Sequence, residues 1–289
     1  MSALLLKLLA ALAMLCDHTA IAFYPLWLGK GAYLVLRGIG RIAFPIFAYF
    51  ITVGYEKTSS LPRYLTRLCT LALLSQIPYS LVFVSGVYST NGPTAFSFAL
   101  PWPVVLLLII FVAAAWLGTV RRDGSVVFPV LALFAGVIRL QVRGVILFSA
   151  ELSVFYTLAL GLACVSILDR AMKPERQLPT LLLQTAAVAA CFFLIRDTAD
   201  YRYLGAALIV CFYLTREQRL SQLLMLILWA VIEYLLGGVG LRYFFCACVS
   251  AVLLYFYNGE RGRSLGRFFY WFYPAHLAVL GLLRLLLVS

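Results

Sequence analysis

Apolar residues run through this chain in blocks of about twenty, separated by short stretches where arginine, lysine, proline and glycine collect. A helix that crosses a bilayer needs roughly 20 predominantly apolar residues. On that rule the pattern predicts about eleven spans, near residues 4–24, 32–54, 64–85, 101–119, 126–147, 152–168, 179–196, 202–215, 220–237, 241–257 and 268–287. The expected fold is all-α, a single polytopic transmembrane helical bundle over residues 1–289. Pro174, Arg176 and Pro179 give the only clear hydrophilic break in the middle, so no second domain is expected. Composition agrees: 64% hydrophobic residues, 12% charged residues and a mean hydropathy of +1.00 lie far outside the soluble range. The first run reads as a span rather than a cleaved leader. It holds one lysine, Lys7, lacks a small-residue cleavage pattern after it, and would lose two ionisable residues on cleavage.

A net charge of +12 would suggest nucleic acid for a soluble protein. Here the basic residues concentrate between spans, so the positive-inside rule accounts for them and no nucleic-acid partner is expected. The even connections hold Lys57, Arg63, Arg67, then Arg121, Arg122, then Arg170, Lys173, Arg176, then Arg216, Arg219, then Arg261, Arg263, Arg267. The odd ones hold Lys30, Arg196, Arg202 and Arg242, with Arg139 and Arg143 within or beside the fifth span. That bias predicts a cytoplasmic N-terminus in a bacterial cytoplasmic membrane, with lipid around the spans. The seven cysteines are scattered and odd in number, so they read as small buried hydrophobes, and no metal site is expected.

Two ionisable residues, Asp17 and His18, interrupt the first span. Such groups are costly in a membrane and by default mark a proton path, an ion site or a reaction centre. The second span carries Arg37 and Arg41 four residues apart, hence on one face. A buried guanidinium demands an acceptor, and Asp17 is the nearest candidate in the sequence. Asp17 and His18 point about 100° apart around a helix, so separate roles are expected: Asp17 pairs with arginine and His18 faces the reaction. His276, the other histidine, follows Pro274 in the last span and reads either as a satisfied structural group or as support for the site. Pro45, Pro78 and Pro274 fall inside spans, where each frees a carbonyl or serves packing alone.

Several ordered blocks carry a resemblance. Met14-Leu15-Cys16-Asp17-His18, the run from Arg37 to Ala48 with its Gly-Arg-Ile-Ala-Phe-Pro core, Tyr64 to Leu68, and Ser75-Gln76-Ile77-Pro78-Tyr79 resemble the TraX family, named for the protein that acetylates conjugative pilin. Phe155 to Leu162, Asp200-Tyr201 with Gly205, Tyr257 to Gly262 and Phe269 to Leu277 are similar to later blocks of that family in the same order. Two departures stand out: the stretch from about 84 to 151 is longer than the family's, by two spans, and Arg202-Tyr203-Leu204 interrupts the compact "DYG" block. The family is related to a wider group of integral-membrane acyltransferases that includes lysosomal heparan-glucosaminide N-acetyltransferase. The resemblance implies acetyl-CoA as donor and transfer within the membrane to an amine or hydroxyl, on a protein N-terminus such as pilin, a glycan or a small molecule.

The residues suit that chemistry. Acetyl transfer needs a base for the acceptor's proton, and imidazole fits near neutral pH; His18 is the expected base, with Asp17 and Arg41 beside it. A cation such as Arg41 would stabilise the oxyanion of the tetrahedral intermediate, and an acetyl-histidine intermediate is the other route. Donor contacts are expected from Arg37, Arg63, Arg67, Tyr257, Asn258, Arg261, Arg263 and His276, because coenzyme A brings phosphates to basic helix ends. Those same basic ends also suit lipid headgroups. Arg139, Arg143 and Glu151 could line the outward side of the path, with Glu233 and Asp197 at the outer interface. A secondary transporter is the competing class, since buried charges and broken helices describe one too. The chain shows no inverted repeat of the Asp-His or Gly-Arg-Ile-Ala-Phe-Pro blocks, and a non-catalytic assembly factor is the third reading.

Overall fold

The computed structural model describes all residues except 25, 85–93, 99–104, 106–108, 110–137, 144, 150, 174–177, 197, 198, 237–239, 264 and 289. Helix α1 (Ala3–Phe23) begins where Ser2 Oγ accepts the Leu5 N–H at 3.4 Å. It stops at Tyr24, whose extended backbone is what the next residue in the sequence, a proline, imposes.

The continuous span expected over 32–54 is two helices, α2 (Lys30–Gly40) and α3 (Ala43–Lys57), joined at Arg41 and Ile42. Pro45 is the cause. It offers no N–H to the Arg41 carbonyl four residues back, and its ring crowds that carbonyl. Arg41 and Ile42 instead close tighter turns, donating to Gly38 O at 3.0 Å and Ile39 O at 3.1 Å. Arg41 is thereby placed at a joint inside the bundle.

The remaining helices are α4 (Leu61–Phe83), α5 (Val154–Ala171), α6 (Leu178–Ile195), α7 (Arg202–Leu214), α8 (Arg219–Leu236), α9 (Leu241–Tyr255) and α10 (Gly266–Val288). Among the described residues six segments are long and apolar enough to cross a membrane: α1, the joined α2 and α3, α4, α5, α8 and most of α10. The helices α7 and α9 are apolar but shorter. The chain is a helical membrane protein.

The all-α expectation fails at residues 138–148. These form β2 (Ile138–Val142) and β3 (Val145–Phe148), which with β1 (Ala95–Phe98) make an antiparallel sheet in the order β1-β2-β3. Ala95 pairs with Gln141, Phe98 with Ile138, and Val142 with Val145, and Arg143, which follows β2, has φ 47°. Ile138, Leu140 and Val142 alternate with Arg139, Gln141 and Arg143, a period of two that an apolar tally reads as the end of a span. Arg139 and Arg143 therefore lie on the sheet and its turn, not in a helix. All of the span expected at 101–119 except Val105 and Ile109, most of that at 126–147, and Arg121, Arg122, Arg176 and Asp197 lie outside the described residues.

Contacts between helix ends sort the bundle into two ends. At one, the Met1 carbonyl accepts from Asn258 N at 3.0 Å, Ala3 N donates to Glu260 O at 2.8 Å, and Arg219 donates to Leu254 O and Tyr257 O. Arg216 faces Glu56 at 3.5 Å, Tyr213 Oη donates to Asp169 at 2.7 Å, and Arg67 lies 5.9 Å from the Tyr270 ring at the same end. Lys57, Arg63, Arg170, Lys173 and Arg261 sit on the ends or loops of these helices, which makes this the basic end. The opposite end holds the sheet, with β3 packed on α4, and a bridge between Leu152 and Ala199. The larger apolar core runs through α1, α3, α4, α5, α7, α8 and α9. A second cluster, Ala22, Tyr79, Val82, Tyr273, Leu277 and Leu280, joins α1, α4 and α10.

Helix α7 fits between α3 and α5 because Gly205 has no side chain: a Cβ there would meet Phe44 and Thr157 at 2.7 Å and Tyr201 at 2.8 Å. Gly205→Ala is expected to cost about 1–3 kcal/mol by overpacking and to lower the thermal midpoint in detergent by several degrees. Gly240→Ala, with nothing within 4 Å of the added carbon, should leave that midpoint unchanged.

Candidate functional site

Asp17 and His18 leave α1 in different directions, as helical geometry requires. Asp17 turns to α2, where Arg37 Nη1 donates to its Oδ2 at 2.6 Å. Both side chains are largely buried, 13% and 18% exposed. The approach is possible because Gly40 presents no side chain; a Cβ there would lie 2.3 Å from Asp17. Arg41, at the joint, sits 5.4 Å from the Tyr201 ring and 5.5 Å from the Tyr243 ring. Asp17 Oδ1, Arg37 Nε and Arg41 Nε are buried without a protein hydrogen-bond partner. Three unmet polar atoms clustered on one charge group are a standing demand for water or ligand.

His18 turns to α10. It is 5% exposed, His276 is 8% exposed, and His18 Nδ1 lies 2.7 Å from His276 Nε2. The two rings lie in nearly parallel planes, 5° apart, with centroids separated by 4.9 Å. His276 Nδ1 in turn lies 2.6 Å from the Phe272 carbonyl oxygen. Phe83, 5.0 Å away, and Tyr273, 5.8 Å away, stand nearly perpendicular to the His18 ring and wall the pair from α4 and α10. Arg37 and Arg41 lie close enough to act on the His18 ring electrostatically, so the imidazole pair and the charge cluster form one site.

Three residues of this site were not singled out as site residues from the sequence. Asp200 interacts with Arg41 and Asp17, and the Tyr79 hydroxyl reaches its carboxyl. Tyr201 stacks on Phe44 with centroids 3.9 Å apart while facing Arg41. Tyr201 and Arg202 both adopt left-handed backbone, φ 58° and 46°, a conformation that non-glycine residues hold only when their surroundings fix it. The fixing contacts are Thr157 Oγ1 to Asp200 O at 2.5 Å and Asp200 N to Leu152 O at 3.3 Å. Glu233, expected at the outer interface, lines a cavity of about 20 Å³ with Arg41, Tyr201, Trp229, Tyr243 and Phe244, room for one water. The signal for Asp200 and Tyr201 was the Asp-Tyr block itself, whose spatial partner no spacing rule supplies.

The remaining expected contacts are at the basic end. Arg63 and Arg67 are exposed, with Arg67 Nε donating to Arg63 O at 3.3 Å. Tyr257 is buried against Tyr49 and Phe50, and Asn258 is held by Met1 and by Glu260, to which it donates at 2.8 Å. Arg261 and Arg263 are exposed, and Arg261 and Lys57 each lie within electrostatic reach of Lys7. His18 is about 15 residues along α1 from that end, roughly 22 Å by helical rise. The structure thus brings His18, Asp17, Arg37, Arg41 and His276 together and leaves Arg63, Arg67, Tyr257, Asn258, Arg261 and Arg263 at the far end. Arg139 and Glu151 line a separate recess of about 330 Å³ on the sheet with Ser97, Gln141 and Ser149.

Residues 2–147 and 97–284 match the family model described as TraX protein. The chain belongs to the TraX family. The two matches overlap across 97–147, inside the stretch where the chain departs from the family pattern. This TraX-family chain is also 27% identical over 299 residues to the "Probable fimbrial assembly protein FimC, serogroup H1" of Dichelobacter nodosus, covering 96% of this chain and 94% of that protein. No solved structure matches it.

Breaking a buried ion pair strands a charge, whereas replacing both partners does not. Asp17→Ala should therefore cost about 3–5 kcal/mol in detergent unfolding, and Asp17→Ala combined with Arg37→Met should recover much of that loss. A double variant as unstable as the sum of its singles would show that the pair is not coupled.

Proposed function

We propose that this protein is a membrane-embedded acetyltransferase that takes an acetyl group from acetyl-CoA at the basic, cytoplasmic end and passes it to an amine or hydroxyl acceptor at the His18 level. The observation that supports this best is a base and a cationic group sharing one buried site. The imidazole of His18 lies beside Arg37 and Arg41 in an interior that excludes bulk water. In such surroundings a cation aimed at a developing oxyanion is worth several kcal/mol, and Arg41, with an unmet Nε, has that capacity free. His18 removes the acceptor proton as the acceptor attacks the thioester carbon, and the coenzyme A thiolate leaves. Family membership and the printed name of the fimbrial relative favour a pilin-type protein N-terminus as acceptor.

The nucleotide end of the donor meets Lys7, Lys57 and Arg261, three cations from α1, α3 and the loop before α10 that converge at the basic end. Its thioester arm follows α1 toward His18. The transporter reading draws on one observation, the broken second span with Arg41 at its joint, and the same assay separates the two.

Purified protein in proteoliposomes, given labelled acetyl-CoA and an acceptor peptide, is expected to form acetylated peptide. His18→Ala should lower that rate about 10²–10⁴-fold with acetyl-CoA affinity unchanged, whereas Arg261→Ala should weaken acetyl-CoA binding. Peptide or solute counterflow without coenzyme A binding would support transport instead.

A further inference from the structure

The hydrogen bonds around His276 determine which nitrogen of His18 is free to act. A carbonyl oxygen only accepts, so the 2.6 Å contact from His276 Nδ1 to Phe272 O places a proton on that nitrogen. In a neutral ring the other nitrogen, Nε2, then carries a lone pair. That lone pair faces His18 Nδ1 at 2.7 Å with the rings nearly parallel, and two lone pairs cannot bond, so His18 Nδ1 carries the shared proton. Its Nε2 is left bare. We infer that His276 is a positioning residue that locks His18 in the Nδ1–H tautomer and thereby presents Nε2 as the base.

The arrangement also disposes of the proton. When Nε2 of His18 takes a proton from the acceptor, the acceptor N–H or O–H bond breaks, an Nε2–H bond forms, and the pair gains one positive charge. The proton on His18 Nδ1 can then cross to His276 Nε2, which moves that charge one ring further from the reacting atoms and onto the ring held by the Phe272 carbonyl. Reversal of both steps delivers the proton to the departing thiolate. Burial makes this sharing valuable, because a charge spread over two rings costs less to hold in a low-dielectric interior than a charge on one. Phe83 and Tyr273 hold the rings in register from α4 and α10. The acceptor is supplied locally: Phe272 lies one turn before His276 in α10, which brings its carbonyl within reach of the His276 ring.

The tautomer follows from geometry alone, while its catalytic use rests on the acetyl-transfer reading, and the test keeps them apart. Because the chain has only two histidines, ¹⁵N-histidine labelling of the full-length protein in lipid gives four ring nitrogens. The expected solid-state spectrum has both Nδ1 protonated, both Nε2 bare, and a coupling from His18 Nδ1–H to His276 Nε2. A proton on His18 Nε2, or no coupling between the rings, overturns the inference even if acetyl transfer is confirmed. In the activity arm, His276→Ala should lower kcat at least about 100-fold with KM for acetyl-CoA unchanged. His276→Gln, whose amide oxygen accepts from His18 Nδ1, should restore part of the rate. Equal loss in both variants contradicts a positioning role. Absence of transfer by the wild type sinks the proposed function but leaves the spectrum to decide the tautomer.

Discussion

The Asp17–Arg37 ion pair is the constraint on which the arrangement of the site depends. Neither partner can be held alone in a bundle surrounded by lipid, because an uncompensated buried charge costs several kcal/mol. Their 2.6 Å contact therefore fixes the register of α1 against α2. Gly40 admits the approach, and Pro45 stops the helix so that Arg41 turns in at the same level. With Asp17 committed to α2, the next residue must leave α1 about 100° away. That direction is toward α10, and His18 meets His276 there.

The same pair explains why the site lies where it does in the membrane. The cations that suit phosphate gather at one end of the bundle, while the imidazoles and the guanidiniums meet far along α1, near the end that carries the sheet. Separation of this kind suits a donor held by its nucleotide at one end and consumed near the other. Strain at Tyr201 and Arg202 belongs to the same logic. The loop is pinned by Thr157 and Leu152 into a costly backbone so that Asp200 and the Tyr201 ring face Arg41.

Much of this was legible in the sequence because burial of charge is expensive and therefore rare. Asp17, His18, Arg37 and Arg41 stood out against apolar runs, and helical spacing alone separated the directions of Asp17 and His18. Pro45 likewise announced a broken helix, although the apolar tally drew one continuous span. The sheet was hidden because Ile138, Leu140 and Val142 are as apolar as a span, and only their alternation with arginine and glutamine marks a strand. Asp200 and Tyr79 were hidden for a different reason: their meeting is set by tertiary packing between distant segments, which no local period encodes. Tyr257 and Asn258, expected at the donor, are taken up in packing against Tyr49 and Phe50 and in holding the start of α1. Their type, a turn-forming pair beside arginines, carries the same signature for either task.

The central claim is that a thioester reaches the buried imidazole of His18 from the basic end. A cryo-EM map of the protein in lipid nanodiscs with a non-hydrolysable thioether analogue of acetyl-CoA tests it directly. The account predicts nucleotide density at Lys7, Lys57 and Arg261, with the arm running along α1 to end within contact of His18 Nε2. Density for the whole analogue elsewhere, with His18 and His276 still sealed behind Phe83 and Tyr273, would contradict it.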